Sequence, residues 1–174
     1  DDKTEFMSRQ TLVDNFSLER VTKAPASFDP KKLWAFQDHY MQQLPIKQKV
    51  ASMLGYLQRA RLVAKPPDCA VGPKLTRIVE AAGDRLKVFG DIIAYADFFF
   101  QDEIDYDPKA FDKNIRKEGR PELLAAFRQR LATVEPFDTA ALEAALRAFV
   151  EAQGVKTGDG VHAVRVATTG KPVG

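Results

Sequence analysis

Arginine is the residue type in this sequence best suited to binding a partner, and eight arginines fall in segments of helical character. They are Arg59, Arg61, Arg77, Arg85, Arg128, Arg130, Arg147 and Arg165. A guanidinium offers a planar fork of donors for phosphates and base edges, and a flat face for stacking on unpaired bases. Exposed helix arginines or intramolecular ion pairs would give the same pattern. The residue types alone therefore permit RNA binding without requiring it.

No group of residues has the spacing of a catalytic or metal site. Neither His39 nor His162 has a cysteine or a second histidine at metal-ligand spacing, so we expect both to be helix residues rather than ligands. The acidic stretch 105–107 begins like a calcium loop, but lysine and arginine follow where further ligands are required. The glycines of 158–163 match a dinucleotide fingerprint loosely, without a preceding strand. We predict no catalytic residue, no metal and no cofactor in this chain.

Composition is that of a soluble globular protein, with 45% hydrophobic and 29% charged residues. No apolar run is long enough to cross a bilayer, and the single Cys69 cannot form an internal disulfide, so we expect a cytoplasmic protein. The net charge of +2, from 26 basic and 24 acidic residues, excludes a general polyanion binder. Basic residues nevertheless outnumber acidic ones by eleven to four between Lys31 and Lys87, which leaves room for one basic face.

Helical spacing and helix punctuation dominate the rest of the sequence. Aspartates that precede proline or an apolar-periodic segment predict helix starts after Asp29, Asp107 and Asp138. A long periodic pattern extends from residue 75 to residue 100, and its two glycines, Gly83 and Gly90, predict a break or kink. The sequence therefore predicts an all-α fold.

Two segments leave local questions open. The three phenylalanines 98–100 cannot share one helical stripe, which predicts a helix buried between neighbouring elements. Residues 164–166 alternate β-branched side chains with arginine, as a short strand would, yet no partner strand is evident. A short helix is the alternative for that segment.

Three segments, in order and spanning nearly the whole chain, carry a family resemblance. The first is Phe16 to Leu33, which reads FSLERVTKAPASFDPKKL. The second is Asp84-Arg85-Leu86 leading to Ala96-Asp97-Phe98-Phe99-Phe100. The third is Gly154-Val155-Lys156 followed by Val164-Arg165-Val166-Ala167-Thr168-Thr169-Gly170. Together they resemble the tRNA-binding C-terminal region of bacterial glutamate–tRNA ligases.

The resemblance implies a helical bundle of two packed subdomains, of the class I aminoacyl-tRNA synthetase anticodon-binding type. It places a stem-contact and linker subdomain in residues 1–66 and an anticodon-binding subdomain in residues 67–174. In the family a further helix follows, so the resemblance implies that the chain stops before it. It also favours the helical alternative for residues 164–169, and we adopt that prediction.

Five residues match tRNA contacts of the family. Arg85 matches an arginine that touches the third anticodon base, and Arg147 and Arg165 match further anticodon-loop contacts. Thr168 and Thr169 belong to the same match as Arg165. The implied partners are the tRNA for glutamate and an upstream catalytic domain of the same chain, in a monomer that does not bind membranes.

The ligase chemistry, which uses ATP and magnesium, belongs in this family to an upstream domain with two nucleotide-binding signatures that do not occur here. The resemblance therefore implies a tRNA-binding region that is inactive alone. The alternative function is a non-catalytic helical protein-interaction module, which would present an exposed apolar patch and would show no salt-dependent binding of tRNA.

Overall fold

The computed structural model describes residues 6–21, 23, 25 and 27–172, and all regular secondary structure in these ranges is helical. The α-helices of the described residues are α1 (Arg9–Asn15), α2 (Pro30–Gln43), α3 (Ile46–Arg59), α4 (Val71–Ala82), α5 (Asp91–Ala96), α6 (Pro108–Asn114), α7 (Arg120–Leu131), α8 (Thr139–Ala152) and α9 (Thr157–Thr169). Three 3₁₀ turns occur at Leu18–Arg20, Gly83–Arg85 and Asp97–Phe99. The all-α prediction is confirmed, and residues 164–166 lie within α9 rather than in a strand.

The predicted helix starts are confirmed by side-chain caps. Asp29, Asp107 and Asp138 each accept a hydrogen bond from a backbone N–H two or three residues further on, at 2.9, 2.6 and 2.8 Å. Pro30 and Pro108 follow two of these caps directly, at a position where a missing N–H leaves no helical hydrogen bond unmade. These local signals alone set where α2, α6 and α8 begin.

The long periodic pattern is broken at its glycines, as predicted. Helix α4 ends at Ala82, Gly83 adopts a positive φ of 56°, and α5 does not begin until Asp91. The expectation of a buried helix around the three phenylalanines is wrong, because α5 ends at Ala96 and a 3₁₀ turn follows. That turn leaves Phe99 39% exposed.

The chain divides into two compact units, one that ends at Ala94 and one that begins at Tyr95. In the first unit, α3 packs against α4, and Met53, Leu57 and Leu75 are completely buried between the two helices and their neighbours. Each such side chain contributes about 1.5–3 kcal/mol through its removal from water. This core fixes α4 and the segment that follows it.

In the second unit, α9 lies against α6, α7 and α8. Its inward residues Ala163 and Val166 are completely buried. Gly160 lets α9 approach α8 closely, because a Cβ at this position would lie 2.5 Å from Cγ2 of Val150. Helices α6, α7 and α8 therefore fix the position of α9 and of the side chains on its exposed face.

Among the described residues, no helix combines the length and hydropathy that a bilayer crossing requires.

Candidate nucleic-acid interface

Arg85 occupies the 3₁₀ turn directly after α4. Gly83 breaks the helix, so the chain leaves the α4 axis and Arg85 becomes the last residue of the turn. Its side chain is exposed and makes no hydrogen bond or ion pair with any described residue. All its donors are therefore available to an external acceptor.

Core packing and polar contacts both hold the backbone that follows Arg85. Leu86 is only 2% exposed and anchors the backbone in the core. Lys87 Nζ forms an ion pair of 2.8 Å with Asp38 Oδ2 on α2, and Asp91 Oδ2 accepts the backbone N–H groups of residues 87 and 88 at 2.8 and 3.0 Å. Arg85 thus projects from a tethered backbone, which reduces the conformational freedom it must lose on binding.

The ion pair between Lys87 and Asp38 changes the pKa of the aspartate. The hydrogen bond from Lys87, helped by one from Gln42 at 3.1 Å, lowers the pKa of the Asp38 carboxyl below its ordinary value. The same Gln42 amide donates to the carbonyl of Leu86 at 3.4 Å. Asp38 is thus ionised at neutral pH and paired with Lys87.

Arg165, Thr168 and Thr169 lie together on the last two turns of α9. The Arg165 guanidinium is half-buried, with Nη1 3.5 Å from His162 Nδ1 and 3.5 Å from the carbonyl of Pro172. Thr168 Oγ1 donates to the carbonyl of Val164 at 2.9 Å, and Thr169 Oγ1 donates to that of Arg165 at 2.9 Å. Thr169 Oγ1 also accepts the backbone N–H of Lys171 at 3.2 Å, whereas Thr168 Oγ1 keeps its lone pairs for an external donor.

A clamp holds the C-terminal end of α9. Tyr106 Oη donates to the carbonyl of Ala167 at 3.0 Å, and the backbone N–H of Asp107 donates to the carbonyl of Gly170 at 2.9 Å. Lys171 Nζ forms an ion pair of 2.5 Å with Asp97 Oδ2. These contacts hold the end of α9 and therefore position Arg165, Thr168 and Thr169, the predicted contact residues of that helix.

Gly170 ends α9 in the left-handed conformation, with φ of 75°. A Cβ here would lie 2.2 Å from the carbonyl oxygen of Asp105 and 2.8 Å from Cγ2 of Ile104. Only glycine satisfies both the backbone angle and the close approach. The glycine is visible in the sequence as a helix stop, but its contact with residue 105 is a tertiary feature.

Arg147 differs from the other two predicted arginines because it already has a partner. Its guanidinium bonds Glu143 Oε1 through Nη2 at 2.6 Å and through Nε at 3.1 Å, one turn earlier on α8. Both side chains are largely exposed, at 71% and 59%. RNA would have to compete with Glu143 for this arginine, at a cost of about 0.3–0.5 kcal/mol.

The structure thus brings together Arg165, Thr168 and Thr169, sets Arg147 on the neighbouring helix α8 of the same unit, and places Arg85 in the first unit. Sequence reasoning missed the positioning residues, since Asp38 and Asp97 pair with lysines 49 and 74 residues away. It also gave no role to His162, an exposed ring beside Arg165. In the described part of the chain, no three His, Cys, Asp or Glu side chains are grouped to hold a metal ion.

Comparison with known proteins identifies the fold and the family. The model of a family described as "Anticodon binding domain" matches residues 39–174, more than half of the chain. This chain belongs to the anticodon-binding domain family. The assignment agrees with helices that present arginines and threonines.

Relatives of this anticodon-binding domain are considerably longer proteins. A glutamate–tRNA ligase of Roseiflexus castenholzii is 38% identical over 174 residues, which cover 99% of this chain and 34% of the relative. A glutamate–tRNA ligase of Moorella thermoacetica is 31% identical over 170 residues, 98% of this chain and 35% of the relative. The domain therefore spans about a third of the length of these curated relatives.

Solved structures show the same fold. A crystal structure of a glutamate tRNA ligase from Elizabethkingia meningosepticum superimposes with a TM-score of 0.78 at 20% identity, over 98% of this chain and 32% of that one. A glutamate-tRNA synthetase from Elizabethkingia anophelis gives 0.74 at 20% identity, over 99% and 32%. At this identity the likeness concerns the helical architecture alone.

Proposed function

We propose that this anticodon-binding domain reads the anticodon loop of the tRNA for glutamate as part of a glutamate–tRNA ligase. The observation that carries the proposal is Arg85, an exposed arginine without an internal partner on a backbone tethered by Leu86 and Lys87. Arg165, Thr168 and Thr169 supply a second group of donors and acceptors at the end of α9. The similarity to glutamate–tRNA ligases over 99% of the chain supports the choice of tRNA.

The physical basis is readout of unpaired bases. A guanidinium can bond two acceptors on one base edge or stack on the base face, and one good bidentate pair provides about 1–3 kcal/mol of discrimination. Phosphate contacts add affinity that depends on salt but not on sequence. We therefore expect anticodon specificity to depend on single arginines, and total affinity to depend on the wider basic surface.

The ligation reaction is proposed for the ligase as a whole, with ATP and magnesium as its cofactors. No residue of this domain is assigned to that chemistry. The functional division into a stem-contact part, residues 1–66, and an anticodon-binding part, residues 67–174, also stays a prediction. We further propose that the ligase acts in the cytoplasm as a monomer.

The decisive experiment measures binding of the chain to unmodified tRNA transcript for glutamate, beside an anticodon-swapped transcript. Arg85→Ala should weaken binding to the cognate tRNA by about 1–3 kcal/mol and should remove most of the preference over the swapped tRNA. Arg77→Ala is the matched control, because Arg77 is also exposed and without an internal partner, but lies on α4 before the turn. It should lower both affinities equally. Equal binding of the two tRNAs by the unaltered chain would refute anticodon reading.

A second observation favours a protein contact in addition to RNA. Ten of the thirteen exposed large apolar side chains among the described residues lie between Phe6 and Tyr40. Phe16, Leu18 and Phe28 are 66%, 77% and 74% exposed. Exposed apolar surface at this density marks an interaction site. We assign it to contact with the catalytic domain proposed for the same ligase, since this domain corresponds to only a third of its relatives.

The single tryptophan, Trp34, reports on that contact because it is 49% exposed within this apolar segment. With Trp34 labelled as 5-fluorotryptophan, its ¹⁹F resonance should shift when the remaining two-thirds of a ligase is added in trans. A shift that depends only on the concentration of the chain itself would instead indicate self-association. Binding of unrelated protein partners without any tRNA binding would favour the interaction-module alternative.

A further inference from the structure

A groove lies between α6 and α9 in the second unit, with a cavity volume of about 480 Å³. Its polar lining consists of Lys109, Lys113 and Asn114 from α6, Asp159 and His162 from α9, and Asp107 at the start of α6. Ligand sites in proteins have volumes of roughly 300–1,000 Å³. The groove is therefore large enough for one nucleotide.

The two carboxylates of the groove are already engaged. Asp107 Oδ1 caps α6 by accepting the backbone N–H of Ala110 at 2.6 Å. Asp159 Oδ2 pairs with Nη2 of Arg120 at 2.7 Å, and this hydrogen bond lowers the pKa of the Asp159 carboxyl. Arg120 therefore offsets the charge of Asp159, whereas Asp107 keeps its single negative charge, which the two lysines of the groove outweigh.

The two lysines, in contrast, have no acidic partner. Lys109 and Lys113 are exposed, and neither forms an ion pair with any described residue. They are one turn apart on α6, so their Cβ atoms lie about 5–6 Å from each other on the same side of the helix. The groove thus presents two adjacent free ammonium groups, which favours an anionic ligand such as consecutive phosphates.

His162 gives the groove a flat surface. Its ring is exposed, and its Nδ1 lies 3.5 Å from Nη1 of Arg165. Histidine is among the side chains on which unpaired bases stack. The groove is therefore continuous with the arginine that we assign to RNA contact, and phosphate-binding and base-stacking groups occur side by side.

We propose that this groove holds one unpaired nucleotide of the bound RNA, with its flanking phosphates on Lys109 and Lys113 and its base on the ring of His162. The proposal rests on the proposed function, because Arg165 must face the RNA for a neighbouring nucleotide to enter the groove. An acidic peptide would satisfy the lysines but would leave the histidine without a stacking partner.

The test uses the chain and unmodified tRNA transcript for glutamate at several salt concentrations. Lys109→Gln/Lys113→Gln should weaken binding about tenfold at moderate salt and should reduce the slope of log K against log salt by about 1.4, the value for two single-strand phosphate contacts. Arg128→Gln/Arg130→Gln is the matched control, because it removes the same charge from exposed positions of α7 outside the groove. The control should change the slope much less.

His162 is tested by a pair of variants. His162→Ala should weaken binding about five- to hundredfold by removal of one stacking contact, whereas His162→Phe should retain most of the affinity because the ring persists. A charge-only role for His162 would make the two variants equivalent, and that result would overturn the base-stacking assignment. Circular dichroism checks that each variant remains folded.

The outcomes separate this proposal from the proposed function. Anticodon-dependent binding that the lysine variant reduces no more than its arginine control would overturn the groove and leave anticodon reading intact. Loss specific to the lysine variant, together with rescue by His162→Phe, would support the groove. No binding of tRNA by the unaltered chain would overturn both, and salt-sensitive capture of an acidic peptide that the lysine variant loses would replace the nucleotide as occupant.

Discussion

Gly170 and Gly119 form a natural matched pair for testing how the end of α9 is held. Both adopt φ of 75°, with ψ of −4° and −5°. A Cβ on Gly119 would meet nothing within 4 Å, whereas one on Gly170 would lie 2.2 Å from the carbonyl oxygen of Asp105. Substitution by alanine therefore imposes the same backbone cost at both sites and a steric conflict at only one.

The magnitudes follow from this geometry. Alanine in the left-handed conformation costs about 1–2 kcal/mol, which is the full effect expected for Gly119→Ala. For Gly170→Ala, the segment 104–107 must also retreat by about 1.2 Å to bring the carbonyl oxygen of Asp105 from 2.2 Å to ordinary contact distance. That movement breaks the hydrogen bonds of Asp107 and Tyr106 to the end of α9, each worth about 1 kcal/mol. The total for Gly170→Ala is about 3–4 kcal/mol.

Urea denaturation followed by circular dichroism measures the free energy of unfolding of both variants against the unaltered chain. Gly170→Ala should be less stable than Gly119→Ala by about 2 kcal/mol. It should also bind tRNA more weakly, because the clamp positions Arg165. A difference in unfolding free energy below about 0.5 kcal/mol would mean that residues 104–107 adjust freely, and the clamp argument would fail.

The remaining predictions concern ion pairs of the second unit. Asp159→Ala should lower the free energy of unfolding more than Arg120→Met, because it leaves the buried Arg120 guanidinium without its counterion. Nη1 of Arg120 already has no hydrogen-bond partner among the described residues. Equal urea midpoints of the two variants would contradict this. Since Arg120 lowers the folded-state pKa of Asp159, the pair stabilises fully above the ordinary pKa of 3.8, and acid titration should show the contribution lost as the pH falls through the lowered value. Glu143→Gln should raise tRNA affinity up to about twofold by freeing Arg147, whereas the same substitution in an Arg147→Ala chain should leave affinity unchanged; fluorescence anisotropy with labelled tRNA distinguishes the two.

Features encoded by nearest neighbours in the chain could be predicted from the sequence. The caps at Asp29, Asp107 and Asp138, and the break at Gly83, depend on residues within three or four positions, and the structure confirms them. The buried helix expected around the three phenylalanines is wrong because spacing cannot show that α5 ends at Ala96. Hydrophobic periodicity indicates which residues are buried, but it does not indicate where tertiary packing ends a helix.

The candidate site shows the same limit. The resemblance identified Arg85 and Arg165, but not what positions them. Lys87 pairs with Asp38 across 49 residues, and Lys171 pairs with Asp97 across 74. Charges are common in any soluble sequence, so the choice of partner depends on the packed fold. Likewise, the significance of Lys109 and Lys113 depends on the ion pair of Asp159 with Arg120, which offsets one of the two negative charges of the groove.

The surroundings of Arg85 and Arg165 determine which substitution would test RNA binding without also changing contacts within the domain. Arg165 contacts the carbonyl of Pro172 and lies beside His162, so its removal would disturb the end of α9 together with any RNA contact. Arg85 has no internal partner among the described residues, so its removal leaves the domain's own contacts in place. Alanine at Arg165 should therefore lower both stability and affinity, whereas alanine at Arg85 should lower affinity alone. An unfolding free energy that falls equally in both variants would show that Arg85 has a structural role and would weaken its assignment to the anticodon.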